Sequence, residues 1–560
     1  MSEVVRPCQV APRRQWLDIE LVMLLGFCLA LFFWRLGDTI IIDEDAALYL
    51  RTAREVLISG DWITLRFNGN VWFDKPPLTI WLMALSIRSL GMNEWAFRFW
   101  HALFGAGVVF VTYLLGRELF DRRTGLLAAI ILATSIQFFY QVRSPLQDVP
   151  LTFFVALSFL FFILLLKKNR HMFVYGFWVS LGLAVLTKGV VGFVLPVLCA
   201  LVYLSISGAM FRATRRMWLH VGLGFLAFLA IVIPWHLAEY LRHGRQFLDE
   251  YLITRTLNRY LYPDLNMGDP NSVADPKWVY VPEIFGLFLP WSGFLVFSFI
   301  VAFRNLRSKS EPALLTIVWF FVMFLFFSLS SGRKFVRYLL PLFPSLALIV
   351  GSMWSKYMTG TRERFLRIGM SWSAILLIVV FGLAVVIMLL MAGRWWVPTE
   401  YEPYIVVALP FTVIFAAGVV ICATLVITGK SRRAFLALAL GTAISFSALV
   451  LLASVYLDEI LVTKQLVGEV RNEILTCERV GSYRYPKPNS FILYANRYVT
   501  LMSRPAELDE FLEQEGRVCC IVMESDLRDV TDEFYQQGRR LDYRILAQKF
   551  GAAIIENYHK

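Results

Sequence analysis

Apolar runs about twenty residues long, parted by short polar junctions, recur along the first 457 residues of this 560-residue chain. A helix needs about 20 such residues to cross the hydrocarbon layer. That predicts spans at roughly 19–36, 97–116, 125–140, 150–166, 172–187, 190–207, 218–236, 281–303, 312–330, 339–356, 369–391, 404–427 and 434–457, about thirteen in all. Met1 to Gln15 is polar and carries Arg6, Arg13 and Arg14. The run Leu17 to Phe33 lacks a small-residue cleavage site, so it reads as a retained first span rather than a cleaved signal peptide. From residue 458 the pattern changes. Asp458 to Cys477 and Ala506 to Glu515 read as helical, and Ser490 to Ala495, Arg517 to Met523 and Tyr543 to Asn557 contain strand-like apolar runs. The expected organisation is a polytopic all-α membrane bundle over 1–457 followed by a small extracytoplasmic α/β domain over 458–560.

Composition agrees. With 58% hydrophobic and 17% charged residues and a mean hydropathy of +0.61, the chain has more apolar side chain than one soluble core can hide. The excess of 54 Lys and Arg over 42 Asp and Glu does not imply nucleic acid, because cytoplasmic membrane loops collect bases and no basic stretch is interleaved with aromatics.

The bases also orient the bundle. Arg117 to Arg123, Lys167 to Arg170, Arg212 to Arg216, Arg304 to Lys309, Lys356 to Arg367 and Lys430 to Arg433 fall at alternate junctions, which places those junctions in the cytoplasm. The opposite side receives the 37–95 and 237–280 loops, Arg143 to Asp148, Thr187 to Gly189, Ser331 to Tyr338, the 392–403 loop and the C-terminal region. Nearly every unusual polar residue lies there. The candidate active face is therefore extracytoplasmic.

Of seven cysteines, Cys28, Cys199 and Cys422 lie in spans as packing residues. In an oxidising compartment Cys477 has Cys519 or Cys520 as a disulfide partner, a choice the sequence leaves open. No Walker loop and no dinucleotide-type glycine fingerprint occurs, so no nucleotide cofactor is expected.

Charge concentrates in the first outer loop, as Asp43-Glu44-Asp45 with Tyr49 and Arg54, then Phe73-Asp74-Lys75-Pro76-Pro77. Acids beside bases at a membrane surface suit a site that holds an anion and positions a nucleophile, an enzyme rather than a pore. An anionic leaving group needs cations and donors in a low-dielectric site. Lys75 is the leading candidate, because the two prolines after it stiffen the backbone. Arg54, Lys188, Arg259, Lys334 and Arg337 are the other outer-face cations. Simpler roles stand beside these: Asp43 and Glu44 as helix caps or ion-pair partners, Asp148 as a helix cap before Pro150, Lys188 as a hairpin anchor, and Lys334 or Arg337 reaching lipid headgroups.

Asp45-x-x-x-Tyr49, Arg54-Glu55, Gly60-Asp61-Trp62 and Phe73-Asp74-Lys75-Pro76-Pro77 together resemble the first outer loop of the aminoarabinose (4-amino-4-deoxy-L-arabinose) lipid A transferases. With the protein O-mannosyltransferases, these form part of the GT-C class of polytopic glycosyltransferases. Gln147-Asp148-Val149-Pro150, Leu186-Thr187-Lys188-Gly189, Pro234-Trp235-His236, Asn258-Arg259-Tyr260, Leu289-Pro290-Trp291 and the Ser328 to Pro341 stretch follow in the same order, covering residues 20–350. The resemblance implies transfer of a sugar from a polyprenyl (undecaprenyl) phosphate carrier to an envelope lipid such as lipid A, or to protein, at the outer face of the membrane. It implies Asp45 beside the reacting centre and Asp148 as a second acid. Tyr49, Asp43, Glu44 and Tyr338 would contact sugar or acceptor, and Lys75, Arg54, Lys188, Arg259, Lys334 and Arg337 the donor phosphate.

These transferases associate a divalent metal with an acid and a histidine. Here the acid is Asp74, but the histidine position holds Thr256, a poor zinc ligand; a harder ion on Asp74 is the remaining form, with His236 and His243 nearby in sequence. The alternatives are a protein O-glycosyltransferase and, in a different class, a lipid flippase or transporter. Against the latter stands the lack of paired Gly/Pro-broken helices in two halves.

Overall fold

The computed structural model describes residues 19–38, 43–208, 214–262, 275–307, 311–331, 334–360, 364–393, 402–456 and 462–558. Each expected span meets a helix or a bent pair of helices, from α1 (Ile19–Phe33) to Ser431–Tyr456. Among the described residues eight helices are long and apolar enough to cross a membrane, or ten if each of two bent pairs is one span. The expected thirteen includes α1, Met172–Lys188 and Val191–Ser207, which are shorter.

The sequence also missed the bends. The 125–140 run is two helices, Arg122–Ala133 and Ile136–Val142, at 68°, and the 281–303 run breaks at 116°. The breaks pair with each other. The Ile136 amide donates to the Leu289 carbonyl at 3.0 Å and the Trp291 indole donates to Thr134 Oγ1 at 2.9 Å. Backbone freed inside a bundle is tolerated only when it is satisfied in this way. Small residues set helix approach: a Cβ on Gly116 would lie 2.5 Å from the Cα of Gly125.

The first outer loop carries α2 (Glu44–Ser59), which Asp43 caps by accepting from the Asp45 and Ala46 amides at 2.9 and 3.2 Å. A hairpin follows, β1 (Arg66–Phe67) and β2 (Asn70–Val71), turned by Asn68 and Gly69 at φ 53° and 83°. That is the backbone an Asn-Gly turn supplies. Then comes α3 (Leu78–Leu90).

Beyond the bundle lies a five-stranded sheet of β3 (Arg479–Tyr483), β4 (Val499–Met502), β5 (Val518–Met523), β6 (Tyr543–Lys549) and β7 (Ala552–Asn557), ordered β4-β3-β5-β7-β6. β3 pairs in parallel with β4 and β5, and the remaining pairs are antiparallel. Ser490 to Ala495, expected as a strand, instead belongs to helix Pro488–Ala495. Proline at the first helical position starts it, and so short an apolar run has no periodicity of its own. Cys477 bonds Cys519, while Cys520 on the opposite strand face stays a buried thiol.

The loop and the sheet are tied together. The Glu44 carboxylate accepts from the Asn489 and Ser490 amides at 2.8 and 3.2 Å and from the Ser490 hydroxyl. Asn68 exchanges two bonds with the Val499 backbone, at 2.7 and 2.9 Å. Buried Glu55 accepts from the Asn68 and Gly69 amides and pairs with buried Arg51 at 2.8 Å. Removing one member of a buried pair strands the other charge, so Glu55→Ala should lower stability by about 3–5 kcal/mol. Thermal melting of the purified protein checks this; an unchanged midpoint would show that the tie contributes nothing.

Candidate functional site

Six chain segments converge on a cavity of about 380 Å³ between the outer loop and the bundle. α2 contributes Asp45 and Tyr49, and the segment after β2 contributes Trp72, Asp74 and Lys75. Gln147 and Asp148 begin helix Asp148–Lys168, and Lys188 ends helix Met172–Lys188. Arg255, Thr256 and Tyr260 come from the second outer loop, and Ser330, Phe335, Arg337 and Tyr338 from the break before the Phe343–Met358 helix.

Arg337 is the hub. It bonds Asp45, lies 3.6 Å from Asp43 and 4.0 Å from Asp148, and stacks over the Phe335 ring at 4.4 Å. Asp148, nearly fully buried, receives Lys188 Nζ at 2.5 Å, and Lys188 also sits 4.7 Å from the centre of the Tyr338 ring. Asp148 is the first helical residue, and Gln147 holds the cap position, so the capping reading for Asp148 gives way to an ion-pair role. Asp74 pairs with Lys75 at 3.0 Å and approaches Arg255 at 4.0 Å. Burial, then the charges of Asp74 and Asp45, push the Tyr49 phenol well above its ordinary range.

Several expected members lie elsewhere. Arg54 does not line the cavity; it faces Arg51 and Arg471, and burial followed by those charges lowers it. Nine residues advance a helix by about two and a half turns, which puts Arg54 half a turn away from Asp45 on α2. Glu44 is committed to the tie with Ser490, and burial raises its carboxyl despite those bonds. Asp43 caps α2 and touches Arg337 without lining the cavity; burial also raises it, against the opposing pull of Arg337. Lys334 binds the Ser330 carbonyl through Nζ at 2.7 Å and Asp275 through its amide, outside the cavity lining. The Arg259 side chain lies outside the described residues. The sequence missed Arg255, which carried no motif, and Gln147, overlooked beside Asp148.

The residues do not fit a divalent metal. Asp74 is flanked by two cations, and no three His, Cys, Asp or Glu side chains converge among the described residues. His236 bonds the Val232 carbonyl and Tyr251, and His243 bonds Thr64.

The fold belongs to a known class. Crystallised ArnT from Cupriavidus metallidurans, bound to undecaprenyl phosphate, superposes with a TM-score of 0.78 at 19% identity, over 96% of this chain and 98% of that one. The oligosaccharyltransferase of Archaeoglobus fulgidus gives 0.51 at 13% identity, over 95% and 70%. The fold is that of the GT-C membrane glycosyltransferases. Within it, residues 74–237 match the family model described as dolichyl-phosphate-mannose-protein mannosyltransferase. An uncharacterized protein of Aquifex aeolicus is 32% identical over 57% of this chain and 61% of its own length. The undecaprenyl phosphate-alpha-4-amino-4-deoxy-L-arabinose arabinosyl transferase of Pseudomonas aeruginosa is 31% identical over 55% of this chain and 54% of its own. The chain thus spans between half and two thirds of the length of these curated relatives, and the resemblance read from its motifs, to the aminoarabinose and mannosyl transferase type, is borne out.

Proposed function

We propose that this chain is a glycosyltransferase of the bacterial inner membrane that moves a sugar from a polyprenyl (undecaprenyl) phosphate carrier to an envelope glycolipid of the lipid A kind, at the periplasmic face. The observation that carries this reading is one cavity under the outer loop in which Lys75, Lys188, Arg255 and Arg337 surround Asp45 and Asp148, within a fold shared with a protein crystallised on undecaprenyl phosphate.

In this reading the cations hold the donor phosphate and stabilise the charge that grows on it as the bond from the sugar's anomeric carbon to the phosphate oxygen breaks. The acceptor oxygen forms the new bond to that carbon, and polyprenyl phosphate leaves. If the acceptor is a hydroxyl, Asp45 takes its proton as general base; an acceptor phosphate is already ionised, and Asp45 orients it instead. No nucleotide is required, because the donor bond supplies the driving force.

Mass spectrometry of envelope lipids and proteins from cells with and without the gene tests the proposal. A pentose-sized or hexose-sized mass lost from lipid A supports it. The same loss from envelope proteins gives the protein-acceptor reading, and no sugar difference in either overturns both. On the purified protein, Lys75→Ala should weaken undecaprenyl phosphate binding by about ten- to hundred-fold, the worth of one charge-assisted bond. Unchanged affinity would remove Lys75 from the phosphate site.

A further inference from the structure

Resting on that reading, we infer that Gln147 is a substrate contact whose amide takes a hydroxyl of the donor sugar, and that it has no part in holding the phosphate. Gln147 lines the cavity, is 1% exposed, and neither its Oε1 nor its Nε2 has a hydrogen-bond partner among the described residues. A buried amide left in this way is unfavourable, and each such group in a folded protein calls for a partner. Gln147 occupies the cap position of helix Asp148–Lys168, yet its side chain makes no cap bond. Its backbone is fixed by the helix, with the carbonyl accepting from the Leu151 amide at 3.1 Å. The neighbouring Asp148 is engaged by Lys188 and Arg337.

A glycosylated carrier offers three kinds of group to this wall. The polyprenyl chain makes no hydrogen bonds. The phosphodiester only accepts, so it would serve Nε2 and set its charge against Oε1. A hydroxyl donates and accepts, so it can satisfy both ends of the amide. This holds for any sugar that bears hydroxyls, with or without an amine. Depth separates donor from acceptor. The Asp45 side chain is partly exposed, so the acceptor arrives on its side of the cavity, whereas Gln147 is enclosed. Gln147 thereby distinguishes the loaded carrier from the spent one, which has the same chain and phosphate but no sugar.

The test uses the full-length protein in lipid nanodiscs, titrated with bare undecaprenyl phosphate and with undecaprenyl phosphate carrying 4-amino-4-deoxy-L-arabinose or mannose. Whichever glycosylated form binds wild type tighter is carried to the variants. Gln147→Met keeps the length of the side chain and removes the amide. It should weaken binding of the glycosylated carrier about ten-fold, the worth of one or two uncharged hydrogen bonds. The bare carrier should stay within about two-fold of wild type. The ligand-free melting midpoint should match or exceed wild type, because a buried amide without a partner has been removed; a residue that only supports the fold would lower it. An equal loss for both ligands puts Gln147 on the phosphate and overturns the inference, as does no loss for either. Unchanged donor binding with a raised KM for the lipid acceptor assigns the hydroxyl to the acceptor and also overturns it. Gln147→Leu repeats the comparison; if neither variant folds, the empty protein needs the amide and the inference fails. Failure of wild type to bind bare undecaprenyl phosphate overturns the parent reading instead, and is distinguishable because it precedes any comparison of variants.

Discussion

Asp45→Asn should reduce sugar transfer by roughly 10²–10⁴-fold while leaving the melting midpoint near wild type. Asp45 sits in the first turn of α2, its side chain is 43% exposed, and among the described residues its ion-pair partner is Arg337. Asparagine keeps the size and an acceptor oxygen, so the fold loses little: substitutions at such exposed positions usually change stability by about 0.5 kcal/mol or less. What it lacks is the negative charge, and with it the capacity to take a proton or to oppose positive charge growing on the sugar. Transfer assays and melting curves on the same preparation separate the two effects. Wild-type turnover in a folded variant would remove Asp45 from the mechanism.

Arg337→Ala should do more damage, to both activity and stability. The guanidinium touches Asp45, Asp43 and Asp148, and the Asp148 side chain is only 3% exposed, with Lys188 as its other cation. Removing the hub leaves crowded, partly buried carboxylates repelling one another, at a cost of about 3–5 kcal/mol. Arg337→Lys keeps the charge without the planar fork, so it should recover much of the melting midpoint but little of the transfer rate. If alanine leaves both melting and transfer at wild-type levels, Arg337 is only an outer-face charge.

Much of this architecture was legible in the chain. Apolar runs of span length located the bundle, because a bilayer imposes one length on every span. Asp45, Lys75, Asp148, Lys188 and Arg337 stood out because charge is expensive at a membrane surface. What escaped depended on three-dimensional direction. Arg54 shares a helix with Asp45 but points half a turn away, and Glu44 belongs to a contact with Ser490 that no local pattern encodes. Arg255 sits in a loop with no motif around it. The breaks at Thr134 and Leu289 compensate each other across the bundle; Pro290 marks the second in its own run, and the first has no such proline.

The Glu44 bond to Asn489 joins residues 445 positions apart, next door to Asp45. The first residue of α2 is therefore fastened by a segment synthesised 445 residues later, so the start of that helix reaches its final packing only after the segment around Asn489 has folded against it.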